Sequence, residues 1–259
     1  PSVYTWSSIV SAYADFGLSS IAIQLYYRAI LDGFYTNKCI CLAGLKACVA
    51  SSMASLTYVM LIHHVVMEKS YLYHDVMVGN ALIHVYTKCG IGSLEDAYKV
   101  FVGLAYRTIV SWNAMLATYG HNGDDEDALS YFHKMHHDGI EPNAITFLLA
   151  LTTCSHSGLI HIGRHLFLYV HTQCVPMLTM DQSACMVDLL GRSGCLDEAE
   201  ALINTLPFDK GSVTAWLCLL SACRLHGDVD RGARLARFCF ELEPKNVAPY
   251  KVLSNMLQT

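Results

Sequence analysis

The chain has 259 residues, 53% of them hydrophobic, and a mean hydropathy of +0.34. Its net charge of −5 argues against a nucleic-acid binder that depends on a broadly basic surface. The longest apolar stretches, such as 145–151 and 213–223, are shorter than the roughly 18 residues of a membrane span, so no membrane association is expected. The 11 cysteines include no C-x-x-C pair, which argues against a secreted disulfide framework.

The elements predicted along the chain form a series of helix pairs. Trp6, Trp112 and Trp216 open similar strings and lie 106 and 104 residues apart, which indicates three repeats of about 35 residues in each interval. Glycines that follow apolar helical runs give the finer period, because glycine adopts the left-handed conformation that ends a helix. These glycines are Gly17, Gly90, Gly123, Gly158, Gly194 and Gly227.

A second helix is predicted after each of these glycines. It carries a small residue near its start, which permits close packing: Ala22, Ala97, Ala128, Gly163, Ala199 and Gly232. Ser93 followed by Asp96 approximates a capping box at the start of one second helix. A single helix pair cannot bury its apolar faces, so the pairs are expected to stack.

Several strings resemble the PLS subclass of plant pentatricopeptide repeat proteins. The string I-V-S-W-N-A-M-L-A-T-Y-G-H-N-G, from Ile109, opens a repeat that follows the family pattern to Asn143, and 76–108 resembles its short repeat type. A-C-M-V-D-L-L-G-R-S-G, from Ala184, resembles a last short repeat, and W-L-C-L-L-S-A-C-R-L-H-G, from Trp216, resembles the E motif that follows such arrays. The resemblance implies an all-α fold, a right-handed α-solenoid superhelix of stacked antiparallel helix-turn-helix repeats.

The predicted repeat array covers 1–212, and 213–259 is predicted to be a truncated E-motif-like helical extension without the deaminase domain of some family members. The repeat at 38–75 departs most, because it lacks the mid-repeat glycine at Ser51–Ser52, and Ile91–Gly92 indicates an insertion in the next repeat. The predicted repeats run over 3–37, 38–75, 76–108, 109–143, 144–179 and 180–212.

The resemblance implies that each repeat faces one nucleotide of a single-stranded RNA. The fifth and last residues of a repeat would approach the base edge, and the second residue would pack on base faces. The base-recognition pairs are Ser7 with Asn37, Asn80 with Thr108, and Asn113 with Asn143, and the stacking residues are Tyr4, Met77 and Val110. Leu42, Leu148 and Ala184 occupy the fifth position in other repeats, where little base discrimination is expected.

Each of these assignments has a plainer structural alternative. An asparagine early in a helix is often only a capping residue, and Tyr4 or Met77 could be core residues. Arg231, Arg234 and Arg237 lie at helical spacing and could form a basic stripe toward RNA or a partner, or simply a solvated helix face.

No catalytic, metal-binding or cofactor-binding residue is predicted. The zinc site of a cytidine deaminase needs H-x-E together with C-x-x-C, and neither pattern occurs in the chain. Cys48, Cys154 and Cys223 occupy equivalent repeat positions, which indicates core packing rather than chemistry. We therefore expect a binding protein and no enzyme.

The function expected from the resemblance is sequence-specific binding of organellar RNA, in a mitochondrion or chloroplast. The expected process is C-to-U editing, with the deaminase supplied in trans by a deaminase-bearing or editing-complex protein that contacts the E-like region. One alternative is a protein-binding scaffold similar to tetratricopeptide arrays. Another is an RNA stabilisation or splicing factor that takes no part in editing.

Overall fold

The computed structural model describes residues 2–34, 37–50, 56–68, 75–90, 93–173, 179–205 and 213–257. Every regular element in these ranges is an α-helix. Seven first helices begin at the residues where the repeats and the extension were predicted to start, and a second helix follows each of them. The first helices are α1 Val3–Asp15, α3 Lys38–Ala50, α5 Val76–Cys89, α7 Ile109–Asn122, α9 Ala144–Ser157, α11 Met180–Arg192 and α13 Val213–His226.

The second helices are shorter or equal in length and alternate with the first helices along the chain. They are α2 Ser19–Leu31, α4 Leu56–Glu68, α6 Leu94–Gly103, α8 Asp125–His137, α10 Ile160–Gln173, α12 Leu196–Thr205 and α14 Val229–Leu242, and one further helix, α15 Ala248–Leu257, follows. None of the helices in the described part of the chain has the length and apolar character of a membrane-spanning segment.

The chain divides into two compact units, unit 1 from Pro1 to Glu141 and unit 2 from Pro142 to Thr259. In unit 1 the first helices α1, α3, α5 and α7 pack against one another in that order, and each contacts its own second helix. In unit 2 the first helices α9, α11 and α13 pack in the same way, and α15 closes the series against α13 and α14. The predicted all-α fold of stacked helix pairs is confirmed.

The turn and packing residues behave as their sequence pattern predicted. The six glycines that end first helices have positive φ angles between 67° and 82°, and Gly123 and Gly158 lie in the left-handed helical region that other residues rarely adopt. A side chain at Gly163 would overlap Leu189, and one at Gly232 would overlap Met256. A larger residue at either position would therefore force the end of the Leu189 or Met256 side chain to move.

The repeated cysteines lie in the core, as predicted. Cys48, Cys154 and Cys223 are almost completely buried. Burial raises the pKa of the Cys48 thiol to about 12 and that of Cys223 to about 11. Such thiols remain protonated at physiological pH and behave as small apolar side chains.

One local prediction is wrong, and two others cannot be compared with the structure. Ser93 does not cap α6, because its φ and ψ of −93° and −6° are helical rather than extended. Its hydroxyl donates instead to the carbonyl oxygens of Tyr86 and Gly90, each at 2.5 Å. The predictions at Ser51–Ser52 and Ile91–Gly92 lie outside the described residues.

Candidate nucleic-acid interface

The N-terminal turns of successive first helices lie side by side within each unit. In unit 1, Lys38 Nζ at the start of α3 is 2.6 Å from Oδ2 of Asp75, the residue before α5. In unit 2, Gln182 Nε2 of α11 donates to the carbonyl oxygen of Ala144 at the start of α9, at 2.8 Å. We call the first five residues of each first helix, with the residue before them, the N-terminal row of that unit. All the predicted site residues lie in it.

The second residue of each first helix points into solvent. Tyr4 is 71% exposed, Met77 61% and Val110 57%, although all three are apolar enough to be core residues. The fourth residue of the same turn is buried in most first helices, as Trp112 and Phe147 show. The remaining second residues are exposed as well: Cys39, Ile145, Asp181 and Thr214. This recurrence excludes the core-residue alternative for Tyr4 and Met77.

The fifth residue lies three positions after the second and therefore on the same helix face. Ser7 is partly exposed, and its hydroxyl donates to the backbone oxygen of Tyr4 at 3.1 Å. Asn80 is also partly exposed, while its Oδ1 atom is buried without a hydrogen-bond partner among the described residues. Asn113 differs from both, because only 8% of it is exposed. The structure therefore makes Ser7 and Asn80 more accessible than Asn113.

The last residue of each repeat caps the first helix that follows. Asn37 Oδ1 accepts a hydrogen bond from the backbone N–H of Cys39 at 2.7 Å, at the start of α3. Asn143 Oδ1 accepts one from the backbone N–H of Thr146 at 3.0 Å, and the Thr146 hydroxyl accepts one from the Asn143 N–H at 3.1 Å. The capping role that the sequence left open is thus present. It holds each side chain at a fixed place in the N-terminal row.

The same capping occurs at the remaining junctions that the structure describes. The Thr108 N–H donates to the Ser111 hydroxyl at 3.2 Å, and the two residues form a capping box at the start of α7. Asp75 caps α5 through its Oδ1, and Thr179 caps α11 by accepting from the Gln182 N–H at 3.3 Å.

The negative charge of the protein is concentrated away from the first helices. The seven first helices hold five Lys or Arg residues and three Asp residues, so their formal charge is +2. Because the whole chain has a net charge of −5, the residues outside the first helices together carry −7. Four successive first helices of unit 1 contain one acidic residue, Asp15, which lies at the far end of α1 from the N-terminal row. The N-terminal rows themselves hold one cation, Lys38, and two carboxylates, Asp75 and Asp181, so most acidic residues of the chain lie outside the surface that carries the candidate residues.

The basic stripe that the sequence left open, beside a solvated helix face, is not formed by two of its three arginines. Arg231 forms ion pairs with Asp197, Glu200 and Asp228, and Arg234 donates to both carboxylate oxygens of Glu200 at 2.9 and 3.1 Å. Within the described ranges no ion pair to Arg237 is found. Since acidic residues of α12 neutralise Arg231 and Arg234, this face is an interhelical contact rather than a free basic surface.

Arg164 of α10 pairs with Glu198 of α12 in the same manner, one repeat earlier. The second helices α10, α12 and α14 are therefore joined by ion pairs. These interhelical ion pairs, which we call the ion-pair ladder of unit 2, were not predicted from the sequence. Opposite charges 34 residues apart, about one repeat length, would have indicated them.

No group of three or more potential metal ligands comes together within the described ranges. The expectation that the chain has no metal, cofactor or enzymatic activity remains a prediction.

Comparison with known proteins identifies repeats in both units. The PPR repeat family matches residues 107–156, and the PPR repeat matches residues 4–34 and 185–207. Among solved structures, the pentatricopeptide repeat protein PPR10 in complex with an 18-nt psaJ RNA element has a TM-score of 0.79 at 18% identity, covering 99% of this chain and 38% of that one. At this identity the likeness concerns the fold alone.

Plant proteins are similar in sequence over almost the whole chain. An Arabidopsis thaliana pentatricopeptide repeat-containing protein is 37% identical over 255 residues, covering 97% of this chain and 37% of the relative. A mitochondrial protein of the same description and organism is 33% identical, covering 98% of this chain and 44% of the relative. A chloroplastic one is 32% identical, covering 98% of this chain and 34% of the relative. The chain thus spans well under half the length of these relatives.

Proposed function

We propose that this chain, which contains repeats of the PPR repeat family and has plant pentatricopeptide repeat homologues, binds single-stranded RNA along its N-terminal rows. The observation that carries the proposal is the recurrent exposure of the second residue, at Tyr4, Met77 and Val110. Exposed apolar side chains at equivalent places can pack against the faces of unpaired bases, and bases stack in particular on aromatic side chains such as that of Tyr4.

The neighbouring polar side chains support base reading. In the first repeat, Ser7 offers a hydroxyl, and Asn37 uses its Oδ1 for capping, with its amide N–H groups left as donors. Asn80 and Thr108 offer an amide and a hydroxyl in the third repeat. Asn113 and Asn143 complete the proposed set, with Asn113 requiring a side-chain rearrangement because it is buried.

The test compares three N-terminal row substitutions with three matched controls. We expect the triple variant Tyr4→Ala/Met77→Ala/Val110→Ala to bind a random-sequence single-stranded RNA pool at least about 10-fold more weakly, because stacked bases lose their platforms. The control triple Phe16→Ala/Met60→Ala/Val102→Ala removes similar, likewise exposed side chains that lie outside the N-terminal row. Fluorescence anisotropy gives the dissociation constants, and circular dichroism checks that both variants remain helical.

If both triple variants bound RNA equally weakly, the total exposed apolar area would control the affinity, rather than the position of the side chains in the N-terminal row. No RNA binding by the unsubstituted chain would reject the proposal and favour the protein-binding scaffold.

The cellular role that we propose is recognition of sites for C-to-U editing in organellar RNA, with a deaminase-bearing or editing-complex protein bound to the E-like region from Val213 onward. The names of the mitochondrial and chloroplastic relatives support an organellar location. Sequencing organellar transcripts after loss of the parent gene tests this role. Unedited cytidines at defined sites are expected, whereas altered splicing or transcript abundance with intact editing would favour the stabilisation or splicing alternative.

A further inference from the structure

Lys38 has an unusual place in the N-terminal row of unit 1. It is the first residue of α3, and its ammonium group reaches the start of the next first helix, α5. There it lies 2.6 Å from Asp75 Oδ2 and 3.3 Å from the sulfur of Met77. Met77 is one of the side chains proposed to pack on a base, so the ammonium lies beside that base position.

The geometry leaves Lys38 with a donor to spare. An ammonium group has three N–H donors, of which one is directed to Asp75 and one to the weakly accepting sulfur of Met77. Within the described ranges no third acceptor is found, and 40% of the Lys38 side chain is exposed. The ammonium group is therefore held by Asp75 and Met77 on one side and is accessible to solvent on the other.

Asp75 is less accessible than Lys38, with 22% of its side chain exposed against 40%. Its Oδ1 accepts from the backbone N–H groups of Met77 and Val78, at 2.9 and 3.4 Å, while its Oδ2 faces Lys38. The carboxylate thus caps α5 and orients the ammonium, and the more exposed polar group at this junction is a donor.

Resting on the proposed function, we infer that Lys38 donates a hydrogen bond to an oxygen acceptor of the nucleotide that packs on Met77. Two sources supply such an oxygen, a base carbonyl and a backbone phosphate. The carbonyl suits the site better, because a phosphate near this ammonium would also meet the carboxylate of Asp75. Uracil, cytosine and guanine carry a carbonyl group and adenine does not, so the contact disfavours adenine at one position.

This contact changes the base discrimination predicted for the repeat at 38–75. Its fifth residue, Leu42, cannot hydrogen-bond to a base, which predicted little discrimination there. Lys38 provides a polar contact from the same repeat, outside the fifth and last positions.

The experiment isolates the ammonium from the carboxylate that it neutralises. Replacing Lys38 alone would expose the charge of Asp75 to the RNA, so the comparison is between Asp75→Asn and Asp75→Asn/Lys38→Met. Asparagine preserves the helix cap, and methionine preserves the length of the side chain. The matched control is Asp15→Asn against Asp15→Asn/Lys46→Met, because Lys46 lies on the same helix and is 2.7 Å from Asp15 Oδ1.

The probe is the RNA that the unsubstituted chain enriches from a random pool, together with variants carrying adenine at each position in turn. In the Asp75→Asn chain we expect adenine at one position to weaken binding at least about 10-fold, the size of one lost hydrogen bond to a charged donor. In Asp75→Asn/Lys38→Met that penalty disappears, whereas the control pair shows identical adenine profiles.

Two other results have distinct meanings. If Lys38→Met weakens every RNA variant equally and lowers the slope of log affinity against log salt by about 0.7, the acceptor is a phosphate and the carbonyl assignment is wrong. If the two Asp75→Asn chains bind all variants alike, Lys38 makes no contact and the inference is overturned. Failure of the unsubstituted chain to enrich any RNA would instead reject the proposed function itself.

Discussion

Units 1 and 2 are built from the same helix pair but place different side chains at equivalent positions. Three of the four first helices in unit 1 have a polar fifth residue, whereas all three in unit 2 have an apolar one: Leu148, Ala184 and Leu217. The second residues differ too: only unit 2 has polar side chains there, Asp181 and Thr214, whereas Tyr4, Cys39, Met77 and Val110 occupy the position in unit 1.

The second helices differ in the opposite sense. In unit 2 they are joined to one another by the ion pairs of Arg164, Arg231 and Arg234. Among the residues of unit 1 that the structure describes, the ion pairs of second helices join residues three or four positions apart, as between Arg28 and Asp32. The side chains of the N-terminal row and the ion pairs between second helices therefore vary independently between the two units. They can do so because they lie on different helices and faces of the repeat.

The largest expected effect concerns base discrimination by unit 1. We expect Ser7→Ala/Asn80→Ala to reduce discrimination between the enriched RNA and a scrambled RNA about 30-fold, since each lost hydrogen bond to a base costs about 1 kcal/mol. The measurement is competition binding at fixed salt.

The control places the substitutions at the same positions in unit 2. Leu148→Met/Leu217→Met nearly conserves side-chain volume and removes no polar group, so discrimination should stay within about twofold. Equal loss of discrimination by both variants would contradict the predicted difference between the units.

An intermediate effect is expected on stability. Arg231 is 18% exposed and faces three carboxylates, so Arg231→Ala leaves Asp197 and Asp228 without their cation and Glu200 with Arg234 alone. We expect the free energy of unfolding to fall by about 1 to 2 kcal/mol. Urea denaturation followed by circular dichroism measures it.

Its counterpart in unit 1 is Arg28→Ala, which removes an exposed pair within α2 and should cost no more than about 0.5 kcal/mol. Equal losses for the two variants would show that the interhelical ladder does not stabilise unit 2 more than an ordinary surface pair does.

The smallest expected effect is a pH dependence in unit 1. Burial lowers the pKa of His63 below its usual 6.5, and nearby Lys99 and His64 act in the same direction against Asp96. His63 Nδ1 lies 2.7 Å from the Tyr86 hydroxyl, which it can accept from when neutral. Below pH 6.5 the unfolded chain therefore binds more protons, and stability falls as the pH drops toward the folded-state pKa.

Replacing His63 by glutamine should flatten this part of the stability curve. His64→Gln is the control, because His64 is the next residue of the same helix and its side chain is exposed. Identical curves for the two variants between pH 5 and 7 would exclude His63 as the source.

Features that repeat along the chain could be predicted, because they are decided within one helix pair. The glycine spacing gave the ends of first helices, and the small residues at Ala22 and Gly163 gave the tight packing. The resemblance to the repeat family also made Tyr4 and Met77 candidates, with their exposure left open.

Contacts between successive first helices could not be predicted, because they depend on how neighbouring helices are rotated and spaced. The pairing of Lys38 with Asp75 spans two first helices, and the burial of Asn113 depends on the neighbours of α7. Ser93 was mistaken for a cap because its sequence pattern does not show its backbone angles.

The capping residues at the repeat junctions have an evolutionary consequence. Asn37, Asp75, Thr108 and Thr179 all belong to the small group of residue types that cap helices well. Exchange within this group leaves the helix start intact while altering the donors and acceptors shown to a ligand. If these positions determine which base is bound, single substitutions among them can change the RNA target of the protein. Selection for folding does not oppose such substitutions.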